Sequence, residues 1–475
     1  MSQLARTLTP ATVMALVVGG VIGSGIFMKP AVMLSQLGSP SLLLMVWILA
    51  GLITLCGALT NSEVASMFPE TGGQYVFFQQ MYGQGFAFLY GWSAFAVFNT
   101  AGNASIAWVC SSYADYFLQL PRLDPITEMK GAVHLPMIGT VYPLRELPVK
   151  LLTLSLIICF TWINRRSVEW GGGIQRWLTV IKIAAIFCLI TGILFSGKGQ
   201  NSHIASDLPG APSGWTLLPA FMAAMAGAFW AYDGWNNITF IAGEIREPQR
   251  TIPRSLVVGL SCCILIYGLL TYSYLLALPA ETMAGSSFIA ADAASAIWGG
   301  TGAALIVFMV VLSTLGTANA NVLATARVTF AMGRESRWLA SAGKVHPAYK
   351  TPANALLLNA IWTGVLIFSG SFDALTDMLI FVSWFFYGMS ALGLFILRRK
   401  LPGAERPYKV WGYPFVPAFF LLFTCFFLGT TLYKDLVEYS QNRIPMMHSV
   451  FGIMIALTGL PVYYFSVRRK KQTAV

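Results

Sequence analysis

The chain has 475 residues, of which 56% are hydrophobic and only 10% charged, with a mean hydropathy of +0.67 and a net charge of +11. A globular protein of that composition would not stay in solution, whereas repeated bilayer spans account for it. The positive charge collects in alternate loops between apolar runs, which excludes a nucleic-acid partner and makes the lipid bilayer the expected surrounding.

About 20 apolar residues cross about 30 Å of hydrocarbon. Twelve such spans are expected, at 10–36, 41–66, 84–118, 148–165, 174–196, 215–241, 255–278, 301–326, 352–370, 374–397, 412–433 and 448–467. Arg165 and Arg166 follow the fourth span, and Arg246, Arg250 and Arg254 the sixth. Arg327, Arg334, Arg337, Lys344 and Lys350 follow the eighth, Arg398 to Lys400, Arg406 and Lys409 the tenth, and Arg468 to Lys471 the twelfth. The opposite loops carry few charges of mixed sign, so both termini are expected in the cytoplasm. No n-region, short apolar core and cleavage site opens the chain, so the first span is expected to be kept.

Two spans are interrupted. The first contains Gly19-Gly20-Val21-Ile22-Gly23-Ser24-Gly25. Lipid offers unwound backbone no hydrogen-bond partner, so such a break survives only inside protein or against a polar ligand. A half-helix starting near Ile26 would present the N–H groups of Gly23, Ser24 and Gly25 to a carboxylate. The sixth span breaks at Ala231-Tyr232-Asp233-Gly234-Trp235-Asn236-Asn237, five spans later. Freed carbonyls near Val21, Trp230 and Asp233 would accept an α-ammonium. The plainer alternative is that the glycines serve close helix approach. Breaks five spans apart predict two inverted five-helix repeats, residues 1–200 and 201–400, with two further helices and a basic tail in 401–475.

Asp233 is a carboxylate within a span and a functional candidate by default. It either receives a cationic side chain or is paired by N–H groups at the break. Lys182 is the other deep charge. Ten residues past Gly172, at about 1.5 Å each, its ammonium lies roughly 15 Å deep, near the midplane. Ser313, Thr317 and Asn321, spaced i, i+4, i+8, share one helix face that can accept from it. Burial that lowers a lysine pKa leaves proton coupling open. Asn99, Gly102, Asn103, Asn236, Ser383 and Trp384 are expected around the substrate side chain, and Glu63 is expected to anchor a helix end. All seven cysteines fall in apolar segments and the four histidines in or beside loops. They form no metal or disulfide framework. No catalytic pattern appears, so neither an enzyme nor a cofactor is expected.

Four motifs resemble the amino acid–polyamine–organocation superfamily, and most closely its L-amino acid transporter branch, which includes heteromeric transporter light subunits and bacterial relatives. They are Gly23-Ser24-Gly25-Ile26-Phe27, Phe68-Pro69-Glu70-Thr71-Gly72-Gly73-Gln74-Tyr75, Ala231 to Asn237, and Gly243-Glu244-Ile245-Arg246-Glu247-Pro248 leading to Ile252-Pro253-Arg254. The resemblance covers spans one to ten. It implies an all-α, LeuT-type 5+5 inverted repeat with helices one and six broken, twelve transmembrane helices and alternating access. It places substrate on Val21, Ile22, Gly23, Ser24, Gly25, Trp230, Ala231, Asp233, Gly234 and Asn236, with the Trp230 ring as outer cap. It also implies that Lys182 replaces sodium, bridging span one to span eight. The light subunits carry a cysteine after span three for a heavy chain; the loop from Ser111 to Lys150 has none, so no disulfide-linked partner is expected, and a bacterial inner membrane is. The expected function is sodium-independent exchange of neutral L-amino acids, the alternative a proton-coupled amino acid or cationic amino acid/polyamine carrier. A channel or membrane sensor is disfavoured: a sensor would need a signalling domain, for which the loops are too short, and a channel would conduct without saturation.

Overall fold

The computed structural model describes residues 8–70, 72–135, 139–166, 168–335 and 339–465, with side chains described for all but 168–179 and 335. Thr71, Arg337 and Arg468 to Lys471, named above, lie outside the described residues.

Thr9 caps α1 (Pro10–Val21) by accepting from the Thr12 N–H at 3.4 Å. At Ile22 the backbone leaves the helix, with ψ at 89°. It resumes as α2 (Gly25–Leu37), bent 40° from α1. Next come α3 (Pro40–Met67), α4 (Gln74–Tyr82), α5 (Gln84–Ser93) and, through a π turn at Ala94–Phe98, α6 (Asn99–Leu118). The following loop holds α7 (Pro125–Met129) and an antiparallel hairpin of β1 (Val133–Leu135) and β2 (Gly139–Val141). Helices α8 (Leu147–Arg166), α9 (Val168–Leu194) and the short α10 (Ser202–Ala205) lead to α11 (Leu217–Tyr232), which ends at the second break.

That second break departs from the expected pattern. Beyond Asp233 only short turns re-form, α12 (Asn237–Phe240) and a 3-10 turn at Ala242–Glu244, before α13 (Pro248–Ala277) begins seven residues ahead of the expected 255. Pro248 at the first helical position, where a missing N–H costs nothing, starts it there. The short α14 (Ala280–Ala284) precedes α15 (Ile289–Glu335), which starts twelve residues before the expected 301 and is kinked at Gly299. Then follow α16 (Ala353–Ser369), α17 (Phe372–Lys400), α18 (Phe415–Ser440), α19 (His448–Leu457) and α20 (Gly459–Tyr463).

Seven of the described helices are long and apolar enough to cross a bilayer, or eight if α1 and α2 count as one bent span. Ala353–Ser369 and His448–Tyr463 are shorter apolar stretches. Large apolar side chains such as Leu52, Ile158, Leu265, Ile361 and Leu422 point outward. Polar ones, including Asn61, Glu63, Asn103 and Asn164, are turned inward. That inversion of the soluble pattern defines a multi-pass membrane protein. At the centre α2 packs against α11, α1 and α3 against α13, and α15 against α6 and α9.

Glu63 sits fully buried near the basic-loop end of α3. Its carboxylate accepts from Arg398 Nε at 2.9 Å, Arg398 Nη2 at 2.7 Å and the Val410 N–H at 2.7 Å, with Arg406 Nε 3.4 Å away. The anchoring role expected for it is what this geometry provides. Replacing Glu63 by Gln removes the charge that faces both guanidinium groups and breaks the two-point bond to Arg398, and we expect a stability loss of about 2–4 kcal/mol. It should register as an earlier thermal unfolding transition in detergent; an unmoved transition would contradict this account.

Candidate functional site

The two breaks face each other. A Cβ on Gly25 would lie 2.5 Å from both Cα and Cβ of Ala231, so only glycine lets the start of α2 touch the last turn of α11. Gly234, at φ +95°, brings its Cα so near the Gly20 carbonyl that a Cβ would stand 2.9 Å from that oxygen. Gly23 is different: a Cβ there would meet Thr317 Cγ2 at an ordinary 3.6 Å. The close-approach reading therefore holds for Gly25 but does not explain Gly23.

Between the breaks lies a cavity of about 430 Å³, within the usual range for small-molecule sites. Of the expected residues, Val21, Gly23, Ser24, Gly25, Trp230, Ala231, Asp233, Gly234, Asn236, Asn99, Gly102, Ser383, Thr317 and Asn321 line it. Five do not. Ile22 turns its side chain into the core, and its carbonyl accepts from Lys182. Asn103 stands behind the wall, accepting from Asn321 at 2.9 Å and donating to Thr325 at 3.1 Å. Trp384 faces away from the cavity: it stacks on Phe229 at 3.7 Å between centroids and packs on Phe420 and Phe427. One residue is 100° of helix, so Ser383 and Trp384 cannot share a face. Ser313 and Lys182 also lie outside the lining.

Helix α2 starts at Gly25; the Phe27 N–H bonds back to Ser24 O at 3.1 Å, and the N–H groups of Gly25 and Ile26 precede any helical acceptor of their own. Its N-terminus is thus aimed into the cavity with the positive end of the dipole. The facing carbonyls are less free than expected. Trp230 O accepts from the Asp233 N–H at 3.2 Å. The Tyr267 hydroxyl on α13 lies 2.8 Å from Val21 O and 2.9 Å from Ala231 O. One hydroxyl hydrogen serves two carbonyls less well than one, so this donor leaves the pair of oxygens only partly satisfied.

Lys182 is buried, and its Nζ donates to Gly19 O at 3.0 Å, Ile22 O at 2.5 Å and Thr317 Oγ1 at 3.0 Å. Three donors meet three oxygens, tying the end of α1 to α15. The polar face on α15 is divided. Of the three, Thr317 bonds Lys182 and Asn321 bonds Asn103, while the Ser313 hydroxyl is buried without a hydrogen-bond partner among the described residues.

Asp233 accepts from the Tyr387 hydroxyl of α17 at 2.7 Å. Neither reading of the carboxylate had included this partner. An Asp233→Asn substitution keeps an oxygen for Tyr387, so a neutral ligand of the cavity is expected to lose less than about threefold in affinity, while a cationic one loses on the order of tenfold. Competition binding with a neutral and a cationic amino acid separates the two; equal loss of both would make Asp233 a structural partner of the break. Sequence reasoning also missed Tyr267, because a tyrosine in an apolar run looks like packing until its hydroxyl partner is seen. Gln74 and Glu244, which belong to two of the motifs named above, and Arg327 also line the cavity, a placement that the sequence had not assigned to them.

A helical bundle that holds a cavity between two broken helices, with backbone and a few polar side chains of the breaks in its wall, is the build of a membrane transporter. Residues 8–457 match the amino acid permease family, and the chain belongs to it. It is 30% identical over 461 residues to the serine/threonine exchanger SteT of Bacillus subtilis (strain 168), covering 96% of each chain. The human cystine/glutamate transporter is 30% identical over 471 residues, 98% of this chain and 86% of the relative. The human large neutral amino acids transporter small subunit 2 is 29% identical over 457 residues, 95% and 78% respectively.

Proposed function

We propose that the protein is a sodium-independent exchanger of neutral L-amino acids that works by alternating access. The observation that carries this is the pair of opposed breaks: N–H groups of α2 aimed into one cavity across from the carbonyls of Val21 and Ala231. That is the charge pattern of an amino acid backbone. Two of the relatives are named as exchanger or transporter of serine/threonine and of cystine/glutamate, which favours exchange of amino acids here too. The Lys182 ammonium is a fixed cation between α1 and α15, and supports sodium independence.

In this reading the spans number twelve in a LeuT-type 5+5 arrangement, residues 1–200 and 201–400 forming the repeats. The basic loops face the cytoplasm of a bacterial cell, as do both termini. No disulfide-linked heavy chain is required, since all seven cysteines lie in helices. A second reading, proton-coupled uptake, has one observation in its favour: the three oxygens around Lys182 are all uncharged.

The test is uptake of labelled amino acids into proteoliposomes, with and without unlabelled amino acid inside, in sodium-free buffer at two pH gradients. Saturable uptake that requires internal amino acid and ignores both ions supports exchange. Uptake into empty vesicles that follows the proton gradient would replace it with the symport reading.

A further inference from the structure

On the side of the cavity away from the basic loops, the lining stops at Trp230 and Ile106. Beyond Trp230 lies a cluster with no part in the site just described. Lys29, one turn into α2, is buried to 3% exposure, an unusual place for an ammonium, and its Nζ contacts three kinds of group at once. It donates to Asp373 Oδ1 at 2.7 Å and to Thr376 Oγ1 at 3.0 Å, both on the first turns of α17. It stands 4.7 Å from the centroid of Phe372 and 5.7 Å from that of Trp230. Those two rings meet edge to face at 5.1 Å. The neighbouring carboxylate, Asp377, is engaged by His448 at 3.6 Å, while the Asp373 side chain remains half exposed to the outside.

We propose that Lys29 and Asp373 form a latch that holds the Trp230 lid shut on the outer side of the cavity, making Lys29 a positioning residue for transport. The inference rests on the transporter reading. The ammonium attracts the face of Trp230 and is itself held by a carboxylate on a different helix. Opening the cavity outward separates α2 and α11 from the outer end of α17, so the ion pair and the ring contact break together. The pair therefore favours the state in which the empty cavity faces the basic loops, and it acts on one side of the cycle only.

The test introduces Ile106→Cys on the outer half of the cavity wall and follows its labelling by a membrane-impermeant thiol reagent added outside. Labelling of the seven native cysteines, measured without that substitution, is subtracted. Lys29→Met is expected to speed labelling by about fivefold to tenfold, with Asp373→Asn doing the same and the double variant no more than either alone. The apparent KM at the outer face should fall while that at the inner face rises, and Lys29→Arg should restore both. Unchanged or slower labelling, or additive single effects, would overturn the latch. Should Lys29→Met fail to fold, Asp373→Asn at the exposed rim gives the same reading. Labelling needs no transport, so absence of amino acid exchange would sink the proposed function without deciding the labelling result.

Discussion

Lys182→Met is expected to leave a folded protein in the membrane that exchanges amino acids on the order of 100-fold more slowly. The methionine matches the lysine stem but strands Gly19 O and Ile22 O, which the ammonium now satisfies together with Thr317 Oγ1. A buried acceptor left unpaired costs about 1–3 kcal/mol; the Thr317 hydroxyl keeps its bond to Ser313 O, so the two stranded carbonyls, at about 1.4 kcal/mol and hence tenfold each, give that factor. The cost falls at the end of α1, so it appears in the positioning of the break rather than in the bundle at large. Lys182→Arg should fail nearly as badly, because a planar fork cannot replace a compact ammonium whose three oxygens lie 2.5 to 3.0 Å away. Counterflow in proteoliposomes, normalised to purified monodisperse protein, measures both variants. Undiminished counterflow in Lys182→Met would take the lysine out of the mechanism.

The second large effect is expected from a single methyl group. Gly25→Ala places a Cβ 2.5 Å from Ala231 Cα, where normal contact is about 3.5–4.0 Å. Helices α2 and α11 must therefore part by about 1 Å, at an overpacking cost of about 1–3 kcal/mol. Such a shift moves the α2 N-terminus away from the carbonyls of the other break, and a displacement of that size is enough to lower turnover on the order of 100-fold. Gly23→Ala is the control, since its Cβ meets Thr317 Cγ2 at 3.6 Å. Transport rates of the two variants at equal protein in the membrane decide the matter; a matching loss in both would show that backbone conformation, not helix approach, is what Gly25 supplies.

Much of this site was legible because the membrane narrows what a sequence can mean. A glycine run or a charge inside an apolar span has few innocent explanations, which is why both breaks and Lys182 stood out. What the spacing of Ser313, Thr317 and Asn321 could not decide was which of them meets the ammonium, because a shared face spans three turns and Lys182 reaches one. Trp384 was misplaced although helix periodicity alone separates it from Ser383. Tyr267 and Tyr387 were invisible for the opposite reason: nothing in an apolar helix distinguishes a packed tyrosine from one whose hydroxyl closes a network. The early start of α13 at Pro248 was available from the proline, but the apolar count outweighed it.

The unequal lengths of the two resumed half-helices have a consequence for how a ligand can lie. A thirteen-residue α2 sums its peptide dipoles into roughly half a unit of positive charge at its start, whereas the single turn of α12 cannot. A repeat architecture invites the expectation of a site with near two-fold symmetry, able to take a zwitterion in either direction. Here only one of the two resumed half-helices is long enough to contribute a dipole of its own. In the proposed binding mode the carboxylate end has a single home, the ammonium end is left to the carbonyls opposite, and the side chain is turned toward α6 and α17. Three unlike contacts fixed in space are what it takes to tell a molecule from its mirror image.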